Sequence, residues 1–150
     1  MPSIDDLRTS TFFQGLQDVF LEKICGHCQE ETLQDQDIIF EEGAPANKIY
    51  ILHEGAVAIQ IHVRKYQNII INTIEEKGEL FGWSALVESK QYTATVKCLK
   101  KTTVFSIRTA ELEQLFEDDP LMGFVFMKKI ASLIDSRLSN MRNRLINSIS

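Results

Sequence analysis

The feature of this 150-residue chain that most constrains its fold is a change of hydrophobic period near residue 32. From residue 32 to residue 107, apolar side chains recur at every second position, which places them on one face of a β-strand. The clearest run is Val57, Ile59, Ile61 and Val63. The strands are short and separated by single glycines, namely Gly43, Gly55, Gly78 and Gly82. We therefore predict a mainly β fold with flanking helices, an antiparallel β-roll of the jelly-roll type over residues 32–107.

Helical periodicity precedes and follows this β segment. Residues 10–28 place Phe13, Leu16, Val19 and Ile24 on one apolar face, which predicts an N-terminal helix. A short helix is predicted over residues 109–118, with an acidic residue in its first turn. Pro120 then favours the start of a second helix, predicted over residues 120–148. The whole chain, residues 1–150, is interpreted as one domain.

The predicted last helix carries a long apolar stripe. Its members step by threes and fours, as in a coiled coil, and are Met127, Ile130, Ile134, Met141 and Leu145, with Leu138 beside them. The stripe would fit two uses, packing against the β-roll or pairing with a second copy. Because the helix is roughly 40 Å long at ~1.5 Å per residue, it outruns a small domain. We expect a homodimer through this helix.

Charge and hydropathy exclude several classes of protein. The formal net charge of −5 is not that of a surface that coats nucleic acid. No apolar run approaches the ~18 residues of a membrane span, and the first ten residues are not those of a secretory signal. We expect a cytoplasmic protein with no membrane association. No helix-turn-helix pattern follows the last helix, so we expect no direct DNA binding.

The residues that most often carry catalysis or bind metals are scattered along the chain. His27, His53 and His62 do not cluster, and no nucleophile is paired with a base in the pattern. Cys25 and Cys28 form a C-x-x-C pair, but they follow a helical stretch, where the helix dipole opposes a thiolate. We expect structural cysteines, no metal, no bound cofactor and no enzymatic activity.

The segment from Gly78 to Thr95 reads as a strand end, a glycine turn, one helical turn, a polar loop and a strand. A helical turn opened by Gly82 would leave the backbone N–H groups of Trp83, Ser84 and Ala85 without partners, and such donors suit an anion. The same residues would equally fit a tight structural corner. The residues alone leave both interpretations open.

This segment resembles the phosphate-binding cassette of the cyclic nucleotide-binding domain family, which includes the catabolite activator protein and the regulatory subunit of cAMP-dependent protein kinase. Two further stretches resemble that family's first strands and glycine turns, residues 40–43 and 49–57. The last helix is similar to the family's C-terminal helix, which dimerises in the bacterial activators. The resemblance covers nearly the whole chain and implies a regulatory domain that binds a cyclic nucleotide.

In that family a glutamate binds the ribose, and an arginine nine or ten residues later pairs with the cyclic phosphate. Glu79 resembles the glutamate, but Tyr92-Thr93 fits the arginine end, and thirteen residues is too long. Starting instead at Gly82 gives the right spacing, so that Trp83 replaces the glutamate and Tyr92 the arginine. Lys90 is interpreted as a solvated loop residue.

The sequence therefore predicts a divergent ligand site composed of Gly82, Trp83, Ser84, Ala85, Tyr92 and Thr93. A buried cyclic phosphate without its arginine is costly, so we expect altered or lost affinity for cAMP and cGMP. The backbone donors and the Thr93 hydroxyl would still suit a cyclic nucleotide or another small anion. We expect a dimeric, non-enzymatic ligand-sensing domain. The alternative is a protein-interaction module whose pocket is vestigial and whose partner is another protein.

Overall fold

The β-strands form two four-stranded antiparallel sheets in the computed structural model, which describes residues 2–65 and 67–149. The strands are β1 Gln29–Leu33, β2 Ile38–Phe40, β3 Lys48–Glu54, β4 Val57–Arg64, β5 Gln67–Ile74, β6 Leu80–Phe81, β7 Thr95–Cys98 and β8 Thr102–Arg108. One sheet has the order β1-β8-β3-β6 and the other β2-β7-β4-β5. The predicted antiparallel β-roll with helices at both ends is confirmed.

The helices before the roll differ from the prediction of one helix over residues 10–28. The structure has α1 at Ile4–Arg8, a 3₁₀ turn at Thr11–Phe13 and α2 at Asp18–His27. Gly15 lies between the last two with φ +87°, a left-handed conformation that ends helical hydrogen bonding. Val19, placed on the apolar face by the sequence pattern, is 63% exposed, because the buried face of α2 is formed by Phe20, Leu21, Ile24 and Cys25.

The core lies between the two sheets and is filled by apolar residues that face each other across the strand pairs. In the first sheet, Ile51 of β3 lies opposite Phe105 of β8 and Leu80 of β6. In the second sheet, Val57 of β4 lies opposite Cys98 and Ile74. These side chains are buried, as the two-residue period requires for the inward face of a strand.

The turn between β3 and β4 depends on a glycine. Gly55 has φ +112°, and a Cβ built there would lie 2.5 Å from Thr102 Oγ1 and 2.8 Å from the Lys101 backbone oxygen. The β3–β4 turn therefore approaches the start of β8 more closely than any side chain at position 55 would allow.

The outer end of the β4–β5 hairpin does not follow the expected alternation. Val63, Ile69 and Ile70 are exposed, although the two-residue period predicts Val63 on the buried face. The register shifts between Ile59 and Gln60 and again between His62 and Arg64, and each irregularity changes which side chains face inward. The hairpin tip thus carries apolar residues on its surface.

Two helices follow the roll, α3 at Thr109–Asp118 and α4 at Pro120–Ile149. The first half of α4 packs against the N-terminal 3₁₀ turn and against α3 through aromatic contacts. The ring centroids are 5.2 Å apart for Phe12 and Phe126 and 5.1 Å apart for Phe116 and Phe126. Its buried residues are Met122, Gly123, Phe126, Ile130 and Arg137. Residues 138–149 are exposed throughout, although Arg144 of this half still bonds to the Ile71 oxygen of the roll.

Candidate functional site

The candidate site begins where β6 ends, at a glycine that turns the chain into a short helix. Gly82 has φ +82°, and the 3₁₀ helix Trp83–Leu86 follows it directly. The Ala85 backbone N–H donates to the Gly82 carbonyl oxygen at 3.3 Å, the bond that a 3₁₀ helix makes to its third preceding residue. Ala85 therefore does not offer the free backbone donor that the sequence pattern suggests.

A cavity of about 220 Å³ lies beside this turn, between the second sheet and α4. Five of the six predicted site residues line it, and Ala85 is fully buried in the core instead. The lining is mainly apolar and consists of Phe40, Ile59, Ile71, Asn72, Phe81, Gly82, Trp83, Ser84, Tyr92, Thr93, Ala94, Val96, Arg137 and Met141. The cavity is thus bounded by both sheets, by the 78–95 segment and by the last helix.

Four aromatic side chains, Phe40, Phe81, Trp83 and Tyr92, form what we call the aromatic wall of the cavity. Tyr92 stacks on Phe40 with ring centroids 3.7 Å apart and an interplanar angle of 15°. Tyr50 lies behind the wall and stacks on Phe81 at 5.4 Å. Ring contacts thus join Phe40, Phe81 and Tyr92 to one another and to Tyr50, which makes this part of the wall a fixed surface.

The hydroxyl of Tyr92 is used within the fold. It donates its hydrogen to the Lys48 backbone oxygen at 2.7 Å, and the residue is 5% exposed. Burial raises the pKa of the Tyr92 hydroxyl, so it stays protonated at neutral pH. Its single proton is committed to the backbone, and Tyr92 contributes an aromatic face to the cavity without a charge.

Arg137, on α4, is the cationic residue that lines the cavity. Its guanidinium carbon lies 4.5 Å from the centroid of the Trp83 ring, a cation–π distance. Nη2 donates to the Leu80 backbone oxygen at 2.7 Å and lies 3.7 Å from a carboxylate oxygen of Glu79. Burial lowers the pKa of Arg137 to about 10, and the charge of Glu79 opposes that effect.

Neither Glu79 nor Lys90 lines the cavity. Gly78 and Glu79 border a separate groove next to the 3₁₀ turn at Thr11–Phe13. Burial raises the pKa of the Glu79 carboxyl group. Lys90 is on the surface, and its Nζ lies 3.6 Å from a carboxylate oxygen of Glu113. The cavity is thus adjacent to Gly82-Trp83, the start of the second spacing considered from the sequence.

A comparison of the chain with protein families finds a match to the cyclic nucleotide-binding domain over residues 30–119. The chain belongs to this family. The matched residues contain the whole of α3 and every strand of the roll described above except Gln29, the first residue of β1.

Solved structures and a curated relative support the family assignment. A protein of Geobacter metallireducens GS-15, provisionally described as a cyclic nucleotide-binding protein, is 28% identical with a TM-score of 0.80, covering 92% of this chain and 99% of that chain. The catabolite activator protein of Thermus thermophilus has the same fold, with 20% identity and a TM-score of 0.75 over 91% of this chain and 62% of that one.

The curated relative is provisionally named a potassium channel protein, from Rhodopseudomonas palustris. It is 26% identical over 110 residues, which are 73% of this chain and 25% of that protein. The chain thus spans about a quarter of the length of this relative.

Sequence reasoning about the family cassette missed Arg137, because that residue is 45 positions beyond Tyr92 and on another element. A signal was present in the apolar stripe of α4. Three residues after Ile134 the helical spacing calls for an inward-facing position, and the residue there is Arg137. An arginine on the buried face of a helix is uncommon unless it has a partner or a function.

The cysteines are buried and apart from the cavity. Cys25, Cys28 and Cys98 are free thiols, and burial raises the pKa of each, that of Cys28 to about 12. Such thiols are poor nucleophiles at neutral pH, which agrees with structural cysteines. In the part of the chain that the structure describes, no group of three or more histidine, cysteine or acidic residues could hold a metal ion.

None of the helices in the described residues has the combination of length and apolar character that crossing a membrane requires.

Proposed function

We propose that this chain is a non-enzymatic, dimeric ligand-sensing domain whose pocket does not bind cAMP or cGMP in the way usual for its family. The observation that carries the proposal is the arrangement of Tyr92. Its ring is stacked on Phe40, and its hydroxyl proton is donated to the Lys48 backbone oxygen. The residue aligned with the family's phosphate-binding arginine therefore offers neither a charge nor a free donor.

The energetic consequence for a cyclic nucleotide is large. A cyclic phosphate keeps a full negative charge, and an arginine would meet it with two charge-assisted hydrogen bonds. Loss of a buried charged partner costs on the order of 3–5 kcal/mol, which corresponds to some hundreds-fold to thousands-fold in affinity. Trp83, aligned with the ribose-binding glutamate, removes a second polar contact.

The cavity itself favours a sensor over an interaction module with a vestigial pocket. An unused pocket would be free to fill with the bulk of Trp83 and Tyr92, yet about 220 Å³ stays open beside them. The lining is apolar and includes one buried cation, Arg137, a composition typical of small-molecule sites. The proposed ligand is therefore a small anion other than a cyclic nucleotide.

The proposed dimer uses the second half of α4. In that half the apolar residues that the protomer leaves exposed are Leu138, Met141, Leu145, Ile146 and Ile149. A helix with so much apolar surface on one protomer is stabilised when a second copy covers it. The neighbouring hairpin tip, with exposed Ile69 and Ile70, enlarges the same surface.

The proposed output is a shift in the position of α4 relative to the roll. Two arginines of α4 bond to the roll, Arg137 to the Leu80 oxygen and Arg144 to the Ile71 oxygen at 2.6 Å. A ligand in the cavity lies between these attachment points and would favour one arrangement of the helix over others. Regulation through the helix requires no DNA contact by this chain, and the absence of direct DNA binding stays a prediction.

Isothermal titration of the purified chain with cAMP and with cGMP tests the proposal. We expect no saturable heat up to about 1 mM of either nucleotide, a limit equivalent to about 4 kcal/mol of binding free energy. A dissociation constant near micromolar for either nucleotide would overturn it. Folding of the sample is checked by circular dichroism before each titration.

A further inference from the structure

Arg137 is a buried cation whose hydrogen-bonding capacity is only partly used. The residue is 7% exposed, and Nη2 has the Leu80 oxygen as its partner. Within residues 2–65 and 67–149, the buried Nη1 has no hydrogen-bond partner. A buried charged donor without a partner costs free energy, and native proteins satisfy nearly all such groups. Nη1 of Arg137 therefore lacks the acceptor that a buried charged donor requires.

This donor without an acceptor, Nη1, belongs to a residue that lines the cavity. Arg137 shares the 220 Å³ space with the aromatic wall and with Met141, Ile71 and Ile59. The guanidinium is anchored on two sides, by the Trp83 ring and by the Leu80 oxygen, which fixes its orientation before any ligand arrives. A rigid donor of this kind loses little freedom on binding.

Glu79 neutralises Arg137 only in part. Its carboxylate oxygen lies 3.7 Å from Nη2, which is too long for a hydrogen bond. Its side chain is 31% exposed and borders the separate groove beside the 3₁₀ turn. Glu79 is not part of the cavity lining. The side of the guanidinium that has no acceptor is therefore not screened by a carboxylate within the cavity.

We propose that Arg137 is the anion-binding residue of this pocket, and that it recognises the carboxylate of a compact, otherwise apolar ligand such as an aromatic carboxylic acid. A planar guanidinium with unused N–H groups matches a carboxylate. The aromatic wall suits a planar ring, and the cavity is smaller than the ~300 Å³ at which pockets for drug-sized ligands begin. A phosphate dianion would place two negative charges beside Arg137, the single cation among the described residues that line this pocket, whereas a carboxylate carries one charge.

The site resides on a different element from the family's cassette. A carboxylate held by Arg137 joins α4 to the roll directly, because the same side chain also bonds to Leu80 of β6. This inference rests on the proposed function, in which the pocket senses a small anion. It adds the residue that binds the anion and the chemical class of the ligand.

Trp83, the single tryptophan of the chain, provides the readout, because it lies against Arg137 within the cavity. Its fluorescence is followed during titration of the full chain with benzoate, and with benzyl alcohol as the neutral analogue of similar size. We expect saturable quenching by benzoate with a dissociation constant below about 1 mM, in line with the efficiency of small ligands. Benzyl alcohol is expected to bind at least tenfold more weakly.

Two variants of Arg137 and one matched control complete the test. Arg137→Met removes the charge and keeps an unbranched chain, whereas Arg137→Gln keeps a donor for the Leu80 oxygen. Both are expected to weaken benzoate binding at least tenfold and to leave benzyl alcohol within about twofold. Arg142→Met, an exposed arginine of the same helix, is expected to bind benzoate like the unaltered chain.

Three results would overturn the inference. The first is no quenching by benzoate at concentrations up to about 10 mM. The others are equal affinity for the acid and the alcohol, and unchanged benzoate affinity in both Arg137 variants. The outcome is separable from that of the proposed function. Micromolar binding of cAMP would refute the lost nucleotide affinity, whereas the benzoate series measures the role of Arg137 regardless of the nucleotide result.

Discussion

Replacement of Arg137 by methionine is expected to change the free energy of unfolding by less than about 1.5 kcal/mol in either direction. Burial lowers the pKa of Arg137 from 12.5 to about 10. At about 1.4 kcal/mol per pKa unit, burying the charged guanidinium therefore lowers the free energy of unfolding by about 3 kcal/mol. The hydrogen bond to Leu80 and the cation–π contact with Trp83 together return about 3 kcal/mol. The two contributions nearly cancel.

The near-cancellation distinguishes a ligand-binding arginine from a structural one. A buried ion pair that holds a fold together loses about 3–5 kcal/mol when one partner is removed. Urea unfolding followed by circular dichroism measures the difference, with Arg142→Met as the exposed control on the same helix. A loss of 3 kcal/mol or more for Arg137→Met, with no loss in the control, would refute the reasoning and make Arg137 a structural residue.

Three further predictions concern the fold, the thiols and the assembly. Gly55→Ala should lower the free energy of unfolding, measured in urea, by about 2–4 kcal/mol, because its Cβ would lie 2.5 Å from Thr102 Oγ1 at φ +112°. The control Gly26→Ala, in a helix where a Cβ would meet no atom within 4 Å, should raise that free energy by about 0.5–1 kcal/mol. Equal effects of the two variants would contradict this prediction. Burial raises the pKa of Cys28 from 9.0 to about 12, so the protonated thiol contributes about 4 kcal/mol to the free energy of unfolding below pH 9, and this contribution is lost as the pH rises toward 12. The free energy of unfolding of Cys28→Ala should therefore depend less on pH in that range. The same pH dependence in the variant and the unaltered chain would exclude this thiol as the cause. Leu145→Glu should reduce the mass found by light scattering to that of the 17.2 kDa protomer without loss of helical signal, and a mass of two chains in this variant would move the interface elsewhere.

The parts of the fold that depend on local pattern could be predicted from the sequence. The alternating apolar residues of β3 and β4 indicate two strands, and the glycine at position 55 indicates the turn between them, so local sequence was enough to locate these elements. The N-terminal region was harder to predict because one residue, Gly15, breaks an otherwise helical apolar pattern. The prediction that Val63 faces the core was wrong because of β-bulges in the β4–β5 hairpin, and such bulges have no clear signal in the sequence.

The candidate site could be predicted from the sequence only where its residues are close together in the chain, within the 78–95 segment. The spacing between Trp83 and Tyr92 identified one side of the cavity, but it could not show that the Tyr92 proton is donated to Lys48. The cation of the cavity is supplied by α4, 54 residues after Trp83, and contacts of that separation come from tertiary packing. Arg137 also had a common explanation as one of several basic residues on a long helix.

A gain of function in the cassette tests the central claim, that this family member has lost the two residues that bind a cyclic nucleotide. The double variant Trp83→Glu, Tyr92→Arg restores the ribose-binding carboxylate and the phosphate-binding guanidinium at the family's spacing. Calorimetric titration with cAMP is expected to give saturable binding at least a hundredfold tighter than in the unaltered chain, as the return of a buried charge pair implies. A folded double variant with no gain in cAMP affinity would contradict the assignment of Trp83 and Tyr92 to those two positions.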